Sequence, residues 1–435
     1  MKKAWLLTVD MGYGHQRAAY PLKDLAYMRI INVNDDSIIS HKERKYWRKI
    51  QHIYEFVSRS KDLPIIGNIV FGTFDFFQSI SPLFPMRDLS KPTYWSSFTE
   101  KIIRRKNLFK DLSNVISKTD YPVITTFPTI ALALNYHKIK NKIYCVVTDS
   151  DINRIWVPTK SRTSKITYLA PCKHVIMRLK EYGVPEGNIV LTGFPLPKEN
   201  IGKNMKILKY DIKNRLLNLD PKKHFINRNK PVLRRYLGGN IPTKSNHKFT
   251  VCYLVGGAGA QKETGIIMAK SLKKRLLDNK MNLVLVAGSR VDVKKYFELR
   301  LKMIGLHNLI GKNIKIIFNE DKTSYFEELN LELRKTDLIW TKPSEMSFYA
   351  GLGIPIIMTK PLGSHEGYNK AWLEHIGAGI KGGDPRYAQE WLDYWIESGR
   401  LAHSAFDGFI EAMNLGTYNI EYLIEKNNKK TIFET

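Results

Sequence analysis

Short apolar runs alternate with helix-like stretches along most of the chain. Four runs in the first 200 residues are rich in valine, isoleucine and leucine and predict buried strands, at 3–9, 121–127, 142–149 and 188–195. Five more lie beyond residue 248, at 249–259, 281–288, 313–318, 336–343 and 354–360. Helix-like stretches separate several of them, among them 16–28 and 265–277. This alternation predicts an α/β protein with parallel sheets.

A polar break divides the pattern into two halves. Residues 200–247 are basic and rich in asparagine and lysine. A chain of 435 residues is long enough for two or three domains. We therefore predict an N-terminal domain over 1–200, a basic insertion over 201–248 and a second α/β domain over 249–400.

Charge is the outlier of the composition. The chain has 69 Lys and Arg against 41 Asp and Glu, a net charge of +28. Such an excess indicates an anionic partner, which is nucleic acid, anionic lipid or a phosphorylated substrate. Residues 201–250 hold 13 of the basic residues and only two acids, Asp211 and Asp220. No nucleic-acid recognition module is visible there, so nucleic acid is not the expected partner.

The cysteine spacing and the lengths of the apolar runs indicate the cellular location of the protein. Cys145, Cys172 and Cys252 are far apart and lack ligand spacing, which fits a reducing cytoplasm. The opening "MKKAWLLTVD" is too short for a signal-peptide core, and no run of about 20 apolar residues could span a bilayer. We expect a cytoplasmic protein, either soluble or peripheral on the inner face of the cell membrane.

Three glycine-rich turns follow predicted strands. They are Gly12-Tyr13-Gly14-His15, the loop 256–260 and the loop 361–369. Glycine lets a backbone approach a phosphate, and a following helix offers unpaired N–H groups. Each turn taken alone is equally explained as a tight connection. No P-loop motif is present, and the second turn lacks the full dinucleotide fingerprint.

Five motifs in order carry a family resemblance: "GYGHQRAA", "VTDSDINRIWVP", "LTGFPLP", "VGGAGA" and "KPSEMSFYAGLGIPIIMTKPLGSHEGYNKAWLEHIGAG". Together they resemble the GT-B glycosyltransferases, in particular the monogalactosyldiacylglycerol synthase group, related to the peptidoglycan lipid II-forming N-acetylglucosaminyltransferase. The resemblance implies two Rossmann-like domains facing each other across a cleft. It also implies that C-terminal helices, here 401–435, brace the N-terminal domain.

The resemblance places a UDP-sugar on the C-terminal domain, with no metal or other cofactor. The residues that it assigns to the donor are Gly193, Gly256, Gly257, Gly259, Ala260, Glu345, Ser364, His365, Glu366 and Asn369. His365 stands where the family usually has Gln. The family has a ribose-binding Glu before this glycine-proline stretch, and by spacing from Pro355 that position is occupied by Phe348. Glu345 could contact the ribose only if the alignment is shifted by three residues. The altered ribose region leaves a catalytically inactive nucleotide-sugar-binding protein as an alternative.

The resemblance places the acceptor on the N-terminal domain, at Gly12, Tyr13, Gly14, Asn153 and Trp156. His15 is the candidate base, since an imidazole titrates near working pH. Capping the helix or binding phosphate are its other possible roles. Asp149 either orients His15, acts as the base itself, or caps a turn.

Asp149-Ser150-Asp151 also has the form of a metal-binding D-x-D motif. A different transferase fold uses that motif at the centre of one nucleotide-binding domain. The two α/β halves of this chain favour the metal-free interpretation.

Residues 41–110 are the candidate membrane contact. An aromatic and aliphatic stripe in 46–57 has helical spacing and basic neighbours, 63–86 is apolar, and 101–110 has five basic residues. Such a surface suits anionic headgroups. Ordinary core helices with a solvated basic face are the alternative.

The sequence therefore predicts a membrane-associated hexosyltransferase that moves sugar from a UDP-sugar to a lipid hydroxyl such as that of diacylglycerol. Three alternatives stay open besides the inactive protein: a soluble transferase with a non-lipid acceptor, a nucleotide-sugar epimerase and a nucleic-acid-binding protein. The sugar, the anomeric outcome and the oligomeric state do not follow from the sequence.

Overall fold

A computed structural model describes residues 2–60, 80–257, 259–361 and 364–426. The described residues form two compact units. The first takes in Met1–Leu196, Gly363–Asn369 and Met413–Thr435, and the second takes in Pro197–Leu362 and Lys370–Ala412. Within the described part of the chain, no helix is both long and apolar enough to cross a bilayer.

The first unit is built on a six-stranded parallel sheet in the order β2-β1-β3-β4-β5-β6. Its strands are β1 Ala4–Thr8, β2 Ala26–Asn32, β3 Val123–Thr125, β4 Ile143–Val146, β5 Ile166–Ala170 and β6 Ile189–Leu191. Its helices are α1 Gly14–Ala19, α2 His41–Ser60, α3 Tyr94–Lys106, α4 Lys110–Ile116, α5 Pro128–Tyr136 and α6 Lys173–Glu181. Short 3₁₀ helices lie at Tyr20–Leu25, Arg154–Trp156, Ser161–Thr163 and Glu186–Asn188.

The second unit holds another six-stranded parallel sheet, in the order β12-β11-β10-β7-β8-β9. Its strands are β7 Thr250–Leu254, β8 Asn282–Gly288, β9 Ile314–Phe318, β10 Leu338–Thr341, β11 Ile356–Met358 and β12 Gly379–Lys381. Helices before the sheet are α7 Lys198–Ile201, α8 Lys206–Leu219, α9 His224–Arg228 and α10 Lys230–Leu237.

Further helices follow the strands of the second sheet. They are α11 Lys262–Ser271, α12 Lys273–Leu277, α13 Val291–Met303, α14 Lys322–Leu333, α15 Ser364–His375, α16 Ala388–Glu397 and α17 Arg400–Glu411. The 3₁₀ helices are Lys203–Met205, His307–Leu309, Glu345–Leu352 and Pro385–Tyr387. The last helix, α18 Gly416–Lys426, lies in the first unit.

Burial explains why the central strands are continuous apolar runs. All five residues of β1 are buried, as are all five of β7. Helices cover both faces of a parallel sheet, so neither face of these strands needs polar residues. In the first unit Leu6, Ile124 and Leu169 share one core cluster with Ile420 of α18.

The predicted α/β class with parallel sheets is confirmed. All nine predicted strands are present, and three further strands, β2, β5 and β12, are not among the predicted ones. The predicted helix over 16–28 is wrong: α1 ends at Ala19, a 3₁₀ helix containing Pro21 follows, and β2 begins at Ala26. Pro21 has no N–H for an α-helical hydrogen bond, which favours the break.

The basic stretch 201–248 is folded into the second unit. Arg215 of α8 is buried, and its guanidinium donates to the backbone oxygens of Thr336, Leu352 and Leu333 at 2.7, 2.8 and 3.2 Å. These bonds replace the water that the charge loses on burial. The residues after 400 divide, with α17 in the second unit and α18 in the first.

The loop after β6 seats the C-terminal helix of the first unit. Gly193 has φ +82°, and a Cβ there would lie 2.8 Å from the Cβ of Met413. A Cβ on Gly416 would lie 2.1 Å from the carbonyl oxygen of Phe194. Asn419 donates to the Thr192 carbonyl at 2.8 Å. Gly193, expected near the donor, therefore also has a packing role.

Candidate functional site

The first candidate half-site lies at the carboxyl end of the first sheet. The chain runs from β1 outward to β2 and then returns to β3 on the other side of β1. Adjacent loops diverge at such a switch point, and ligands of open α/β sheets bind there. His15 lies in the first turn of α1, directly after the loop that follows β1, and Thr126 lies in the loop after β3, so both residues lie at this point.

His15 is held in one tautomer by the neighbouring loop. Its Nδ1 lies 2.6 Å from the carbonyl oxygen of Thr126. A carbonyl oxygen only accepts, so Nδ1 carries the hydrogen and the neutral ring has its lone pair on Nε2. The ring also packs edge-on against Phe127, with centroids 5.0 Å apart. A neutral imidazole of this tautomer can take a proton at Nε2.

Thr126 is itself fixed to β1. Its N–H donates to the Leu7 carbonyl at 3.2 Å, and its hydroxyl lies 2.9 Å from that of Thr8. Thr126 is not among the predicted site residues, because a threonine after a strand has no signal of its own. The run "VITTF" places it one residue beyond β3, and that topological position is the signal.

The predicted acceptor residues are partly brought together. The Trp156 ring lies 6.5 Å from the His15 ring, centroid to centroid. Asn153 caps the 3₁₀ helix that carries Trp156, accepting from the Ile155 N–H at 3.2 Å. Gly12 has φ +77°, Gly14 begins α1, and Tyr13 is buried.

Asp149 is tied to the first turns of α15. The Asn369 amide donates to Asp149 Oδ1 at 3.1 Å and accepts from the Ser150 N–H at 2.9 Å. Glu366 and Asn369 are both buried, at 2% and 0% exposure. The structure thus pairs a predicted catalytic residue with a predicted donor residue. Asp149 was predicted as a possible orienting partner of His15, but Nδ1 of His15 lies against the Thr126 carbonyl instead.

Asp151 belongs to a buried ion network. Arg178 donates to both of its carboxylate oxygens, at 2.8 and 2.9 Å, and His174 lies 2.9 Å away. Arg178 also donates to Glu181 at 2.7 Å. Burial alone raises the pKa of Asp151, but the hydrogen bonds from His174 and Arg178 bring it below its ordinary value. This carboxylate is therefore engaged by the Arg178 guanidinium and by the His174 ring.

A buried thiol and a buried guanidinium flank this network. Burial raises the pKa of Cys172 to about 12, so the thiol stays protonated at neutral pH. Burial lowers the pKa of Arg154, whose guanidinium donates to the carbonyls of Val157 and Ser90 at 2.6 and 2.8 Å. Both groups have structural roles. Among the described residues, no group of three or more His, Cys, Asp or Glu forms a candidate metal site.

The second candidate half-site lies at the switch point of the second sheet. The chain runs from β7 to β8 and β9 on one side, then returns to β10 on the other side of β7. The loop after β7 carries Gly256, Gly257, Gly259 and Ala260, all half-buried. Gly259 has φ +80°, and its N–H donates to the Gly256 carbonyl at 2.7 Å. Helix α11 begins at Lys262, so the N–H groups of its first turn lie next to this loop.

Lys342 lies across the glycine loop. It is the first residue after β10, and a Cβ on Gly256 would come within 2.5 Å of its Cε. The side chain thus passes over the backbone of Gly256, and a larger residue at position 256 would displace it. Lys342 is not among the predicted donor residues. Its position directly behind a strand next to β7 is the signal that identifies it.

Gln261 joins the loop to β11. It has φ +64°, its amide donates to the Lys360 carbonyl at 3.0 Å, and it accepts from the Thr359 hydroxyl at 2.5 Å. The Tyr253 hydroxyl donates to the Gln261 carbonyl at 2.5 Å. These bonds fix the start of α11 and so the direction of its N–H groups.

Phe348 and Glu345 lie on the 3₁₀ helix after β10. Phe348 is 3% exposed and packs against the Trp372 ring with centroids 4.9 Å apart. Glu345 begins the helix and is half-buried. Phe348 thus belongs to the core, and Glu345 is an acidic side chain in the first turn of the same 3₁₀ helix. The backbones of Ser364 and His365 lie in α15, and their side chains lie outside the described part of the structure.

The predicted membrane segment is only partly described. Trp47 of α2 is 4% exposed and stacks on Phe109 at 5.5 Å, so it is a core residue. Residues 61–79, most of the apolar stretch, lie outside the described residues. Exposed apolar side chains do lie near α3: Phe84 at 67%, Met86 at 48% and Tyr94 at 73%.

Comparison with known proteins supports a GT-B architecture. A UDP-N-acetylglucosamine 2-epimerase structure from Listeria monocytogenes aligns over 100% of both chains, with TM-score 0.51 and 12% identity. The chain has the GT-B fold. Residues 302–424 match a family model described as a domain of unknown function, DUF6938.

Two relatives come from bacilli. The processive diacylglycerol beta-glucosyltransferase of Bacillus subtilis is 22% identical over 263 residues, which are 59% of this chain and 56% of that protein. The protein of that name from Bacillus cereus is 24% identical over 331 residues, 70% of this chain and 72% of that protein. The match to the first therefore spans little more than half of the relative's length.

Proposed function

We propose that this protein is a glycosyltransferase that moves a hexose from a UDP-sugar to the hydroxyl of a lipid such as diacylglycerol. The observation that carries the proposal is His15, whose ring is oriented at a switch point by the Thr126 carbonyl at Nδ1. The names of the Bacillus relatives supply the substrate class.

In the proposed reaction His15 is the base. The acceptor oxygen attacks the anomeric carbon, its proton passes to Nε2 of His15, and the bond from that carbon to the diphosphate oxygen breaks. The Thr126 carbonyl keeps the ring oriented and stabilises the imidazolium that forms, because it accepts the Nδ1 hydrogen. A base of this kind contributes about 10²–10⁴ in rate.

The donor diphosphate is proposed to bind at the glycine loop after β7. The N–H groups at the start of α11 and the Lys342 ammonium are cationic or electropositive, and the leaving diphosphate gains charge as the sugar departs. Glu345 is the proposed ribose contact. Glu366 and Asn369 are the proposed contacts of the sugar hydroxyls, and Asn369 is hydrogen-bonded to Asp149 within the first unit.

The proposed reaction needs no metal. The second carboxylate of the D-x-D motif, Asp151, is engaged by Arg178 and His174, and positive charge for the diphosphate comes from Lys342 and α11. Transfer is therefore expected to continue at an unchanged rate in excess EDTA. A loss of activity in EDTA that Mg²⁺ or Mn²⁺ restores would contradict this part of the proposal.

Membrane association is proposed to use the exposed side chains near α3. Phe84, Tyr94 and Phe98 are 67%, 73% and 41% exposed, and the same helix carries exposed Arg104 and Arg105. Aromatic side chains beside cations suit the interface of an anionic bilayer. Location on the inner face of the cell membrane is part of the same proposal.

Binding of nucleotides tests the donor. At about 100 times its dissociation constant, a ligand adds roughly 2.7 kcal/mol to stability, which raises the melting temperature measurably. We expect UDP and one UDP-sugar to stabilise the protein, with ADP, GDP and CDP as controls. Stabilisation by another nucleotide alone would overturn the UDP assignment.

An epimerase is the second candidate, because the Listeria neighbour is described as one. The two functions differ in their need for an acceptor. An epimerase converts UDP-N-acetylglucosamine in the absence of lipid, whereas the proposed transferase releases UDP in quantity only when acceptor vesicles are present. Conversion without acceptor would replace our proposal by the epimerase.

A further inference from the structure

Residues 201–250 present only positive charge to solvent. Both acids of this segment are buried: Asp211 accepts from the Arg334 guanidinium at 3.0 Å, and Asp220 accepts from the Ile226 N–H at 2.8 Å. Of the 13 basic residues, Arg215 is buried and the other twelve are exposed or half-buried. The net charge of the segment is therefore concentrated on its outer surface.

Four lysines of this segment line one groove. Lys206, Lys209 and Lys213 of α8 are spaced at three and four residues and so share one face of the helix. With Lys203 they line a groove of about 630 Å³. Such a density of ammonium groups favours a ligand that carries several negative charges.

A second groove combines cations with an apolar floor. It has a volume of about 350 Å³ and lies among α8, α9 and α10. Leu217, Ile226 and Leu233 form its buried floor, and Lys223, Lys230 and Arg234 form its exposed rim. We call it the rim groove. Its chemistry is that of a site for an amphiphile with an anionic head.

We propose that the rim groove binds the headgroup region of an anionic phospholipid, with the lysine groove of α8 holding the surrounding anionic surface. The three rim cations would contact the phosphate, and the aliphatic floor would contact the glycerol and the first methylenes. This site belongs to the second unit, whereas the exposed aromatic side chains near α3 belong to the first.

The aliphatic floor of the rim groove distinguishes a lipid ligand from a nucleic acid. Proteins that bind single strands without sequence preference stack bases on aromatic side chains. The residues lining the rim groove include no aromatic side chain, and Tyr210 is the aromatic residue that lines the lysine groove. An aliphatic floor below a cationic rim therefore favours a phospholipid over a nucleic acid.

The inference rests on the proposed function for its placement of the protein at a membrane. It deepens that function, because anionic lipid would bind both units of a transferase whose acceptor lies in the bilayer. Vesicle binding is measured without UDP-sugar, so the two proposals fail separately. Loss of UDP stabilisation with intact vesicle binding would overturn the donor assignment alone.

The test is binding of the full-length protein to vesicles. Wild-type protein is mixed with vesicles of neutral phosphatidylcholine, or of phosphatidylcholine with 30% phosphatidylglycerol, and the bound fraction is measured by sedimentation. The variant is Lys223→Gln/Lys230→Gln/Arg234→Gln. At about fivefold in affinity per cation, the three substitutions are expected to weaken binding to the anionic vesicles about a hundredfold.

A matched control separates this site from general charge. Lys295→Gln/Lys302→Gln/Lys312→Gln also removes three exposed cations from the second unit. We expect it to bind within about twofold of wild type. Equal losses in the two variants, or wild-type binding by the rim variant, would overturn the rim groove. Both variants must keep the wild-type melting temperature.

Soluble competitors identify the source of the phosphate. Short-chain phosphatidylglycerol, below the concentration at which it forms micelles, is expected to stabilise the wild type and not the rim variant. Glycerol phosphate at the same concentration is expected to have little effect. Equal stabilisation by glycerol phosphate or inorganic phosphate would assign the groove to a soluble anion. Tighter binding of single-stranded DNA than of anionic vesicles at equal ionic strength would assign it to nucleic acid. Either result overturns the lipid proposal.

Discussion

At the scale of single residues, the proposed proton transfer depends on the tautomer of His15. The Thr126 carbonyl at 2.6 Å accepts the Nδ1 hydrogen, so the neutral ring accepts protons at Nε2. Replacing His15 removes that acceptor, and the substitution lies in the first unit. The sequence indicated His15 through its glycine turn, but the partner that sets the tautomer is a backbone oxygen 111 residues away. Such a partner is visible only once β1 and β3 are adjacent.

His15→Ala is expected to lower kcat by about 10²–10⁴. Stabilisation by UDP should not change, because the donor loop lies in the other sheet. His307→Ala, an exposed histidine of the second unit, is the control and should keep full activity. Steady-state transfer assays measure both. Wild-type kcat in His15→Ala would remove histidine from the mechanism.

Lys342→Met is expected to weaken UDP binding about 10- to 100-fold, because it removes a charged hydrogen-bond donor and keeps the apolar stem. Isothermal titration with UDP measures the change, and Lys295→Met on the exposed face of α13 is the control. An unchanged dissociation constant would mean that the Lys342 ammonium does not contact the diphosphate.

At the scale of elements, the buried network of Asp151 fixes the loop after β4 to α6. Its carboxylate has a folded-state pKa below the ordinary value of 3.8. A depressed carboxylate pKa stabilises the fold at pH values above 3.8, and this stabilisation is lost as the pH falls through the lower folded-state value.

Asp151→Asn leaves the guanidinium of Arg178 buried and removes the negative charge with which it forms an ion pair. We expect a loss of about 3–5 kcal/mol in the free energy of unfolding at pH 7, with a smaller difference between variant and wild type near pH 3. Urea unfolding at both pH values measures it. Asp35→Asn, which removes an exposed ion pair with Arg48, should change stability little. A variant as stable as wild type at pH 7 would show that the network adds no stability.

Gly416→Ala tests the packing of α18 against the loop after β6. The new Cβ would lie 2.1 Å from the backbone oxygen of Phe194, which no side-chain rotation can relieve. We expect a loss of about 3 kcal/mol in the free energy of unfolding, measured by urea unfolding. We also expect faster cleavage by a protease between residue 412 and α18. Gly187→Ala, with no atom within 4 Å of its new Cβ, is the control. Equal stability of the two variants would contradict this packing.

Elements differ in how far the sequence predicts them. The nine predicted strands are mostly buried apolar runs next to turns. Edge strand β2 is exposed at Tyr27 and Met28, and the helix-like residues before it hide its start. Strand β12 has three residues, too few to show a period. Strand β5 contains Thr167 and Tyr168 and follows no glycine turn.

At the scale of the whole molecule, two parallel sheets each present a polar loop cluster at one switch point. This arrangement follows from strand order, and strand order is a long-range property. The sequence predicted two α/β halves and glycine turns at strand ends. It did not identify Lys342 or Thr126, because their importance comes from the order β12-β11-β10-β7-β8-β9 and its counterpart in the first sheet.

Transfer itself is the most direct measurement of the central claim. Purified protein is incubated with labelled UDP-glucose or UDP-galactose and with vesicles that contain diacylglycerol, and the label in the extracted lipid is counted. We expect glycolipid formation that depends on diacylglycerol and falls at least a hundredfold in His15→Ala. Stabilisation by UDP without label in any lipid, or transfer that His15→Ala leaves unchanged, would contradict it.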